Sequence, residues 1–426
     1  MSAAVEEKVR PCPQCGAEIR TDSRFTTWCA ACDWNVDPEK PEGTPGRVER
    51  WQRSLAARHG ERLLAEVAAG GSLRPRRDTA SVAAQGLALA VHGVTVALAA
   101  GALWFLVTGW GGAGTVAAVF LGVLAWTLRP RFPGLPDDGP VLRRADAPEL
   151  FALVDEVAAV VGTRGVDVIA VDDEVNASVT TYDLRGRRLL TLGLPLWEIL
   201  TPQQRIALLG HELGHYSNGD TRHGLLVGNA LHSLTTWRYY VAPPADPTLV
   251  EWAVNLLLLV PRLLIEGTSA LLDRLTLRAT QRAEYLADAM AARAGSTGAA
   301  AAVMDCFLVS DSATVMLRRE ANARQVVRPG SAGRASGDGL WERLRAHMES
   351  IPPGEYERQR RAGAARGHSV DSTHPPTHLR RRCLLTGAPL PAAVVADAGR
   401  AARVDAELAG ARDVLARRIV RDGLGH

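Results

Sequence analysis

Between Asp78 and Arg129 the chain carries no Asp, Glu, Lys or Arg, a run of fifty residues in a protein that is 22% charged. Segregation on that scale has a physical cause, because a helix buried in hydrocarbon tolerates charge poorly and needs about 20 apolar residues to span it. Two helices are predicted, one over Val82–Val107 and a shorter one over Thr115–Leu128 with its flanks. Gly109, Gly111, Gly112 and Gly114 supply a turn between them, and Trp104 and Trp110 stand where interfacial aromatics collect. Arg74, Arg76 and Arg77 precede the run and Arg129 and Arg131 follow it, which places both ends of a membrane hairpin over 80–128 in the cytoplasm. Glu6, Glu7 and a cysteine cluster near the start argue against a signal peptide.

Past this hairpin the periodicity changes. Leu150, Leu153, Val154, Val157 and Val161 recur on one face of a helix predicted over 147–161. Val166–Val171 and Arg188–Leu192 are short aliphatic runs that read as strands. Thr201-Pro202-Gln203-Gln204 starts a helix, with Thr at N-cap, Pro at N1 and Gln at N3. A second helix is predicted over Leu277–Ala292, and a tail helix over 391–420. Gly224–Val241 and Trp252–Leu272 form another hydrophobic pair, interrupted by His232, Arg238, Pro261, Arg262 and Glu266. Arg262 and Glu266 are four apart and suited to pairing on one helix face. Residues 41–79 read as a linker with a short helix over 48–69, and residues 328–340 read as a flexible loop.

At 426 residues the chain has room for two or three domains, and 47% hydrophobic residues exclude a disordered or collagen-like protein. A net charge of +3 gives no reason to expect a nucleic-acid partner. Lys8 and Lys40 are the only lysines; the remaining basic residues are Arg, with no single cluster to explain them.

Four of the six cysteines form Cys12-x-x-Cys15 and Cys29-x-x-Cys32. Each turn brings two thiolates to one metal, and two turns close a tetrahedral structural zinc site; a redox dithiol is the competing reading. The spacing resembles a zinc ribbon within residues 1–40, a module too small to fold without such a staple. Its surface fits protein contact better than nucleic acid. Cys306 and Cys383 lack partners at metal spacing and read as packing residues.

The predicted helix from Pro202 continues into His211-Glu212-Leu213-Gly214-His215. Two imidazoles four residues apart share a helix face and can share one metal, while Glu212 beside them is placed to take a proton from water. A catalytic zinc commonly takes three protein ligands and keeps a fourth position open. Glu284 on the second helix fits the third ligand, and Asp288, one turn on, fits a hydrogen-bond acceptor for a ligand imidazole. Ala283, Ala287 and Ala291 are small enough to let the two helices approach.

These residues resemble the M48 peptidases, the family of the HtpX heat-shock proteases and of the CAAX prenyl-protein proteases, over about 145–385. The matching features are Asn176-Ala177, with Ser178 in place of the family's aromatic; His211 to His215 running on to Asn218 and Asp220; Arg282, Glu284, Ala287 and Asp288; and Ser372-Thr373-His374-Pro375-Pro376 followed by Arg380 to Arg382. The resemblance implies a mainly α (α+β) integral-membrane zincin-like metallopeptidase over 140–390 and a small zinc-ribbon module at 1–40. It implies His211, His215 and Glu284 as zinc ligands, Glu212 as general base and Asp288 as their support. His374 is expected near the active site as a catalytic residue, Arg380 or Arg381 as a helper, with Arg380 contacting substrate, and Asn176 and Ala177 on an edge strand that substrate extends. Membrane members insert a transmembrane hairpin between the two ligand helices, matching 224–272 here. The expectation is a multi-pass plasma-membrane endopeptidase with one catalytic and one structural Zn2+, its peptidase domain and ribbon cytoplasmic, acting on membrane or misfolded proteins. The alternatives are an inactive membrane-tethered protein working through its ribbon, and a prenyl-protein processing protease. Oligomeric state is not legible.

Overall fold

The computed structural model describes residues 8–38, parts of 54–69, 79–131, 134–136, 139–183, 185–217, 220–326, 339–366 and 375–424. In chain order these form β1 (Lys8–Pro11), β2 (Glu18–Thr21), α1 (Thr79–Thr108), α2 (Ala113–Thr127), β3 (Val141–Leu142), α3 (Pro148–Val161), β4 (Val168–Asp172), β5 (Ala177–Tyr182) and β6 (Arg187–Gly193). Helices then dominate: α4 (Leu194–Ile199), α5 (Pro202–Ser217), α6 (Asp220–Tyr240), α7 (Leu249–Leu257), α8 (Leu259–Gly295), α9 (Thr297–Leu308) and α10 (Ser310–Val326). The chain closes with α11 (Leu340–Glu349), α12 (Pro353–Arg366), α13 (Thr377–Thr386), α14 (Ala398–Glu407) and α15 (Ala409–Asp422).

Helix α3 buries the whole face that its periodicity predicts, from Leu150 to Val161, against Ile169, Leu190 and Leu192 of the sheet and Ile206, Leu209 and Leu213 of α5. The sheet order is β3-β4-β6-β5, with β4 and β6 parallel and both outer pairs antiparallel. That order leaves β5 as an edge strand. Gly193 ends β6 where a Cβ would stand 2.0 Å from the Glu174 carbonyl oxygen and 2.3 Å from that of Asn176, so only glycine fits. Its N–H donates to the Asn176 carbonyl at 2.8 Å, fixing where β5 begins.

Helix α5 starts as its capping residues require: the Thr201 N–H donates to Gln204 Oε1 at 2.8 Å, and the Gln204 N–H to Thr201 Oγ1 at 3.4 Å. It crosses α8 with almost no side chain between them. A Cβ on Gly210 would lie 2.8 Å from Ala294 Cβ, one on Gly214 would lie 3.0 Å from Ala287 Cα, and one on Gly295 would lie 2.7 Å from Ala207 Cβ. Ala287 and Ala291 pack here, whereas Ala283 is half-buried at a cavity wall.

Helices α1 and α2 form the apolar hairpin. Gly109 and Gly114 close its turn so tightly that a Cβ on either would come within 2.6 Å of the other's backbone. The base of α1 packs Ala84, Ala88 and Val91 against Val227, Ala230, Leu234 and Trp237 of α6 and Leu272 of α8. The Leu128 carbonyl, at the end of α2, accepts from Trp237 Nε1 at 3.0 Å and Thr95 Oγ1 at 3.1 Å. Beyond that level Trp104, Val107, Trp110, Val116, Phe120, Val123 and Trp126 are exposed. Among the described residues, α1 is the one continuous helix long and apolar enough to cross a membrane, and α2 is apolar but has 15 residues.

The hydrophobic pair expected at 224–272 takes a different form. Its second half is split between α7 and the start of the 37-residue α8, so the third-ligand helix begins well before Leu277. Pro261 falls in the first turn of α8, where its missing N–H costs nothing. Arg262 donates from Nε and Nη2 to the Val241 carbonyl, at 3.1 and 2.8 Å, instead of serving Glu266. The tail helix expected over 391–420 is also divided. Pro391–Asp397 is non-helical, with the Val394 N–H bonded to the Ala294 carbonyl at 3.0 Å, and α14 starts where the Asp397 side chain caps the Arg400 N–H. The linker is helical at 60–66; most of the rest of 41–79 and nearly all of the 328–340 loop lie outside the described residues.

The α5–α8 crossing yields a stability test. Gly210→Ala is expected to cost about 1–3 kcal/mol through overpacking. Gly228→Ala on α6, where a Cβ meets nothing within 4 Å, is expected to gain up to about 1 kcal/mol of helix propensity. Unfolding midpoints in detergent check both signs.

Candidate active site and metal clusters

The close crossing sets side chains of α5 and α8 face to face. His211 Nε2 and His215 Nε2 are 3.3 Å apart, and each lies 3.6 Å from a Glu284 carboxylate oxygen. Two nitrogens bound to a tetrahedral zinc at about 2.0–2.1 Å stand about 3.3–3.4 Å apart, so the donors match a shared ion without rearrangement. His211 Nδ1 donates to Asp288 Oδ1 at 3.0 Å, which fixes the tautomer and turns the Nε2 lone pair toward Glu284 and His215.

Arg380, on α13, completes the cluster from below. Its Nη2 and Nε donate to Asp288 Oδ1 and Oδ2 at 2.6 and 2.9 Å, and Nη1 stands 3.4 Å from Glu284 Oε2. Burial by itself raises the Asp288 pKa, but the Arg380 charge and the hydrogen bonds from Arg380 and His211 hold it far below the usual carboxylate range. The same carboxylates raise Arg380 against its own burial. Glu212, Glu284, Asp288 and Arg380 are all buried. Three carboxylates against one guanidinium leave two negative charges in a low-dielectric site, which a divalent cation balances. By charge and by spacing, the residues present fit zinc.

The other expected residues fall as follows. Asn176 immediately precedes the edge strand β5 and Ala177 begins it, paired with Leu192. The Tyr216 hydroxyl, next after His215, donates to the Thr180 carbonyl at 2.6 Å and ties the histidine helix to that strand. Arg380, expected as a substrate contact, is buried against Asp288, while Arg381 pairs with Asp305 at 2.8 Å. His374, with Ser372 and Thr373, lies outside the described residues. Four positions carried no role in the sequence reading: Gly210 and Gly214, whose G-x-x-x-G spacing was the available signal, Tyr216, and Glu66 of the linker, which pairs with Arg282 at 3.0 Å.

The N-terminal cysteines also converge. Cys12 and Cys32 Sγ are 3.7 Å apart and Cys15 and Cys29 Sγ 3.6 Å apart, with all four within 4.8 Å of one another. Thiolates at about 2.3 Å from a tetrahedral zinc stand about 3.8 Å apart. In each turn the residue after the second cysteine is left-handed, Gly16 at φ 76° and Asp33 at φ 57°, which folds the chain back around the sulfurs. The cluster docks on α12: Arg361 donates to the Ala30 carbonyl and Asp33 at 2.7 and 2.8 Å, and Arg366 pairs with Asp37 at 2.6 Å.

A family model described as peptidase family M48 matches residues 144–386, more than half of the chain and the whole of both ligand helices. The chain belongs to peptidase family M48. Members of that family are metallopeptidases. A protein named Protease HtpX homolog 1, from Sulfurisphaera tokodaii, is 34% identical over 80 residues, 18% of this chain and 25% of that protein. The match therefore spans about a quarter of that relative's length. No solved structure matches the chain.

The Arg380 geometry makes a prediction. Arg380→Ala strands a buried carboxylate at Asp288 and is expected to cost about 3–5 kcal/mol. The double variant Arg380→Leu/Asp288→Asn recovers part of that loss, because the Asp288 charge is removed together with its partner. Chemical denaturation of the metal-free proteins measures the difference.

Proposed function

We propose that this protein is a membrane-bound, zinc-dependent endopeptidase with a second, structural zinc in its cysteine cluster. The observation that carries the reading is the 3.3–3.6 Å convergence of His211, His215 and Glu284, with Glu212 buried beside them on α5. Zinc bound by these three side chains would supply a Lewis acid for the scissile carbonyl and bring the pKa of a water down to about 7. Glu212 takes the proton from the attacking water and delivers it to the leaving amine nitrogen. Asp288 and Arg380 hold His211 in its ligand tautomer. Extended substrate pairs along the free edge of β5 from Asn176 and Ala177, on a strand tied to the histidine helix by the Tyr216 hydroxyl bond.

The exposed apolar hairpin supports membrane attachment, since a soluble surface does not bare that many aromatic and aliphatic side chains in one continuous band. Arg131 donates to the Tyr240 hydroxyl at 2.8 Å, linking the hairpin base to the end of α6. Just past that point α7 and the start of α8 expose Leu249, Val250, Trp252, Leu257, Val260 and Leu264, so this face joins the hairpin in the bilayer. Flanking arginines keep the catalytic domain and ribbon cytoplasmic. Membrane proteins and unfolded chains are the substrates within reach.

Elemental analysis of the detergent-purified protein is expected to find two zincs, falling to one in His211→Ala and to one in Cys12→Ser/Cys15→Ser. An unchanged count in His211→Ala sinks the catalytic assignment. Glu212→Gln is expected to retain both zincs and lose at least about 10²–10⁴-fold in casein degradation, the scale of general-base catalysis. Full activity in that variant would rule out the mechanism.

A further inference from the structure

A cavity of about 320 Å³ opens beside the paired helices, and His215 and Glu284 are among the residues that line it. Its walls are Ala84 of α1, Val227 and Leu231 of α6, and Leu275, Ala279 and Ala283 of α8. Gly228 also lines it, and a Cβ there would meet nothing within 4 Å. Helix α1 therefore builds part of the site region as well as the hairpin.

We propose that this cavity takes the side chain of a substrate residue flanking the scissile bond, and that the enzyme cleaves next to large apolar residues of the Phe, Leu or Met class. The inference rests on the endopeptidase reading above and names its substrate class. A carbonyl presented to His215 and Glu284 carries its neighbouring side chain within reach of the cavity, since those residues line it. Most of the wall is apolar, and among the described residues Ser81, Gln85, Thr276 and Thr280 are its only polar members besides His215 and Glu284, so a charged side chain entering it loses more hydration than these groups return. The volume is roughly twice that of an engineered 150 Å³ cavity that binds benzene, so a phenyl ring fits with room to spare. Such residues are hidden in folded soluble domains. They become available in unfolded chains and in segments drawn from a bilayer, and α1 places the pocket at the base of the hydrophobic hairpin.

The test uses full-length, detergent-purified, zinc-loaded protein and quenched peptides that differ in the residues flanking the cleaved bond: Phe, Leu, Ala, Asp or S-farnesylcysteine. Wild type is expected to favour Phe and Leu over Ala by about 10-fold or more in kcat/KM, the discrimination an apolar pocket gives. Gly228→Phe and Ala279→Phe, which grow into the cavity from two helices, are expected to lower the Phe-to-Ala ratio at least about 10-fold. Their zinc content and unfolding midpoints, measured alongside, establish that the fold is intact. Glu212-dependent cleavage that ignores the flanking residue overturns the proposal and leaves the endopeptidase reading standing. So does an unchanged Phe-to-Ala ratio in both filled variants. A farnesylated peptide cleaved more than about 10-fold faster than the Phe peptide overturns assignment to an ordinary side chain in favour of a lipid. Absence of any Glu212-dependent cleavage removes the endopeptidase reading and this proposal together.

Discussion

The donor atoms converge because α5 and α8 cross with backbone nearly against backbone. Gly210, Gly214 and Gly295 face Ala294, Ala287 and Ala207 at distances that leave no room for a further methyl group. Were the axes a side chain farther apart, Glu284 could not reach both imidazoles. The 3.6 Å separations from Glu284 to each histidine are thus a consequence of residues that carry no chemistry themselves. Small residues at a helix crossing trade core volume for proximity, and here proximity gathers the donors.

Proximity brings a second constraint, because it buries three carboxylates together. Arg380 answers two of them directly, chelating Asp288 and approaching Glu284. Removing the countercharge would leave Asp288 buried and unpaired, a state proteins avoid by protonation or unfolding. The arginine thereby connects α13, at the far end of the domain sequence, to the geometry of the histidines. The cysteine module is coupled to the same region through α12, whose Arg361 and Arg366 grip the second cysteine turn and its neighbour Asp37.

The hairpin plays two parts. Its distal half offers exposed apolar surface among the described residues, and its base packs Ala84, Ala88 and Val91 into α6 and α8. The one described helix long and apolar enough to cross a membrane therefore also forms part of the cavity wall. In the function proposed above, Ala84 links attachment to cleavage, because it both packs the hairpin base and lines the cavity.

Much of this was legible in the chain. Period-3.6 spacing located α3, the Thr201 capping box located the start of α5, and the absence of charge from 79 to 128 located the hairpin, because each reports a local requirement of backbone or solvent. The spacing of His211 and His215 and the two Cys-x-x-Cys turns indicated metal chemistry for the same reason. What the tertiary structure alone decided was everything that depends on distance between elements far apart in sequence. It set β5 at the sheet edge beside Tyr216, split Trp252–Leu272 between α7 and a 37-residue α8, and turned Arg380 inward to Asp288 when its sequence context pointed to substrate. It also opened a cavity bounded by α1, α6 and α8. Local patterns fix which way a side chain faces on its own helix; which helix it then meets is settled by packing, and packing is a property of the whole chain.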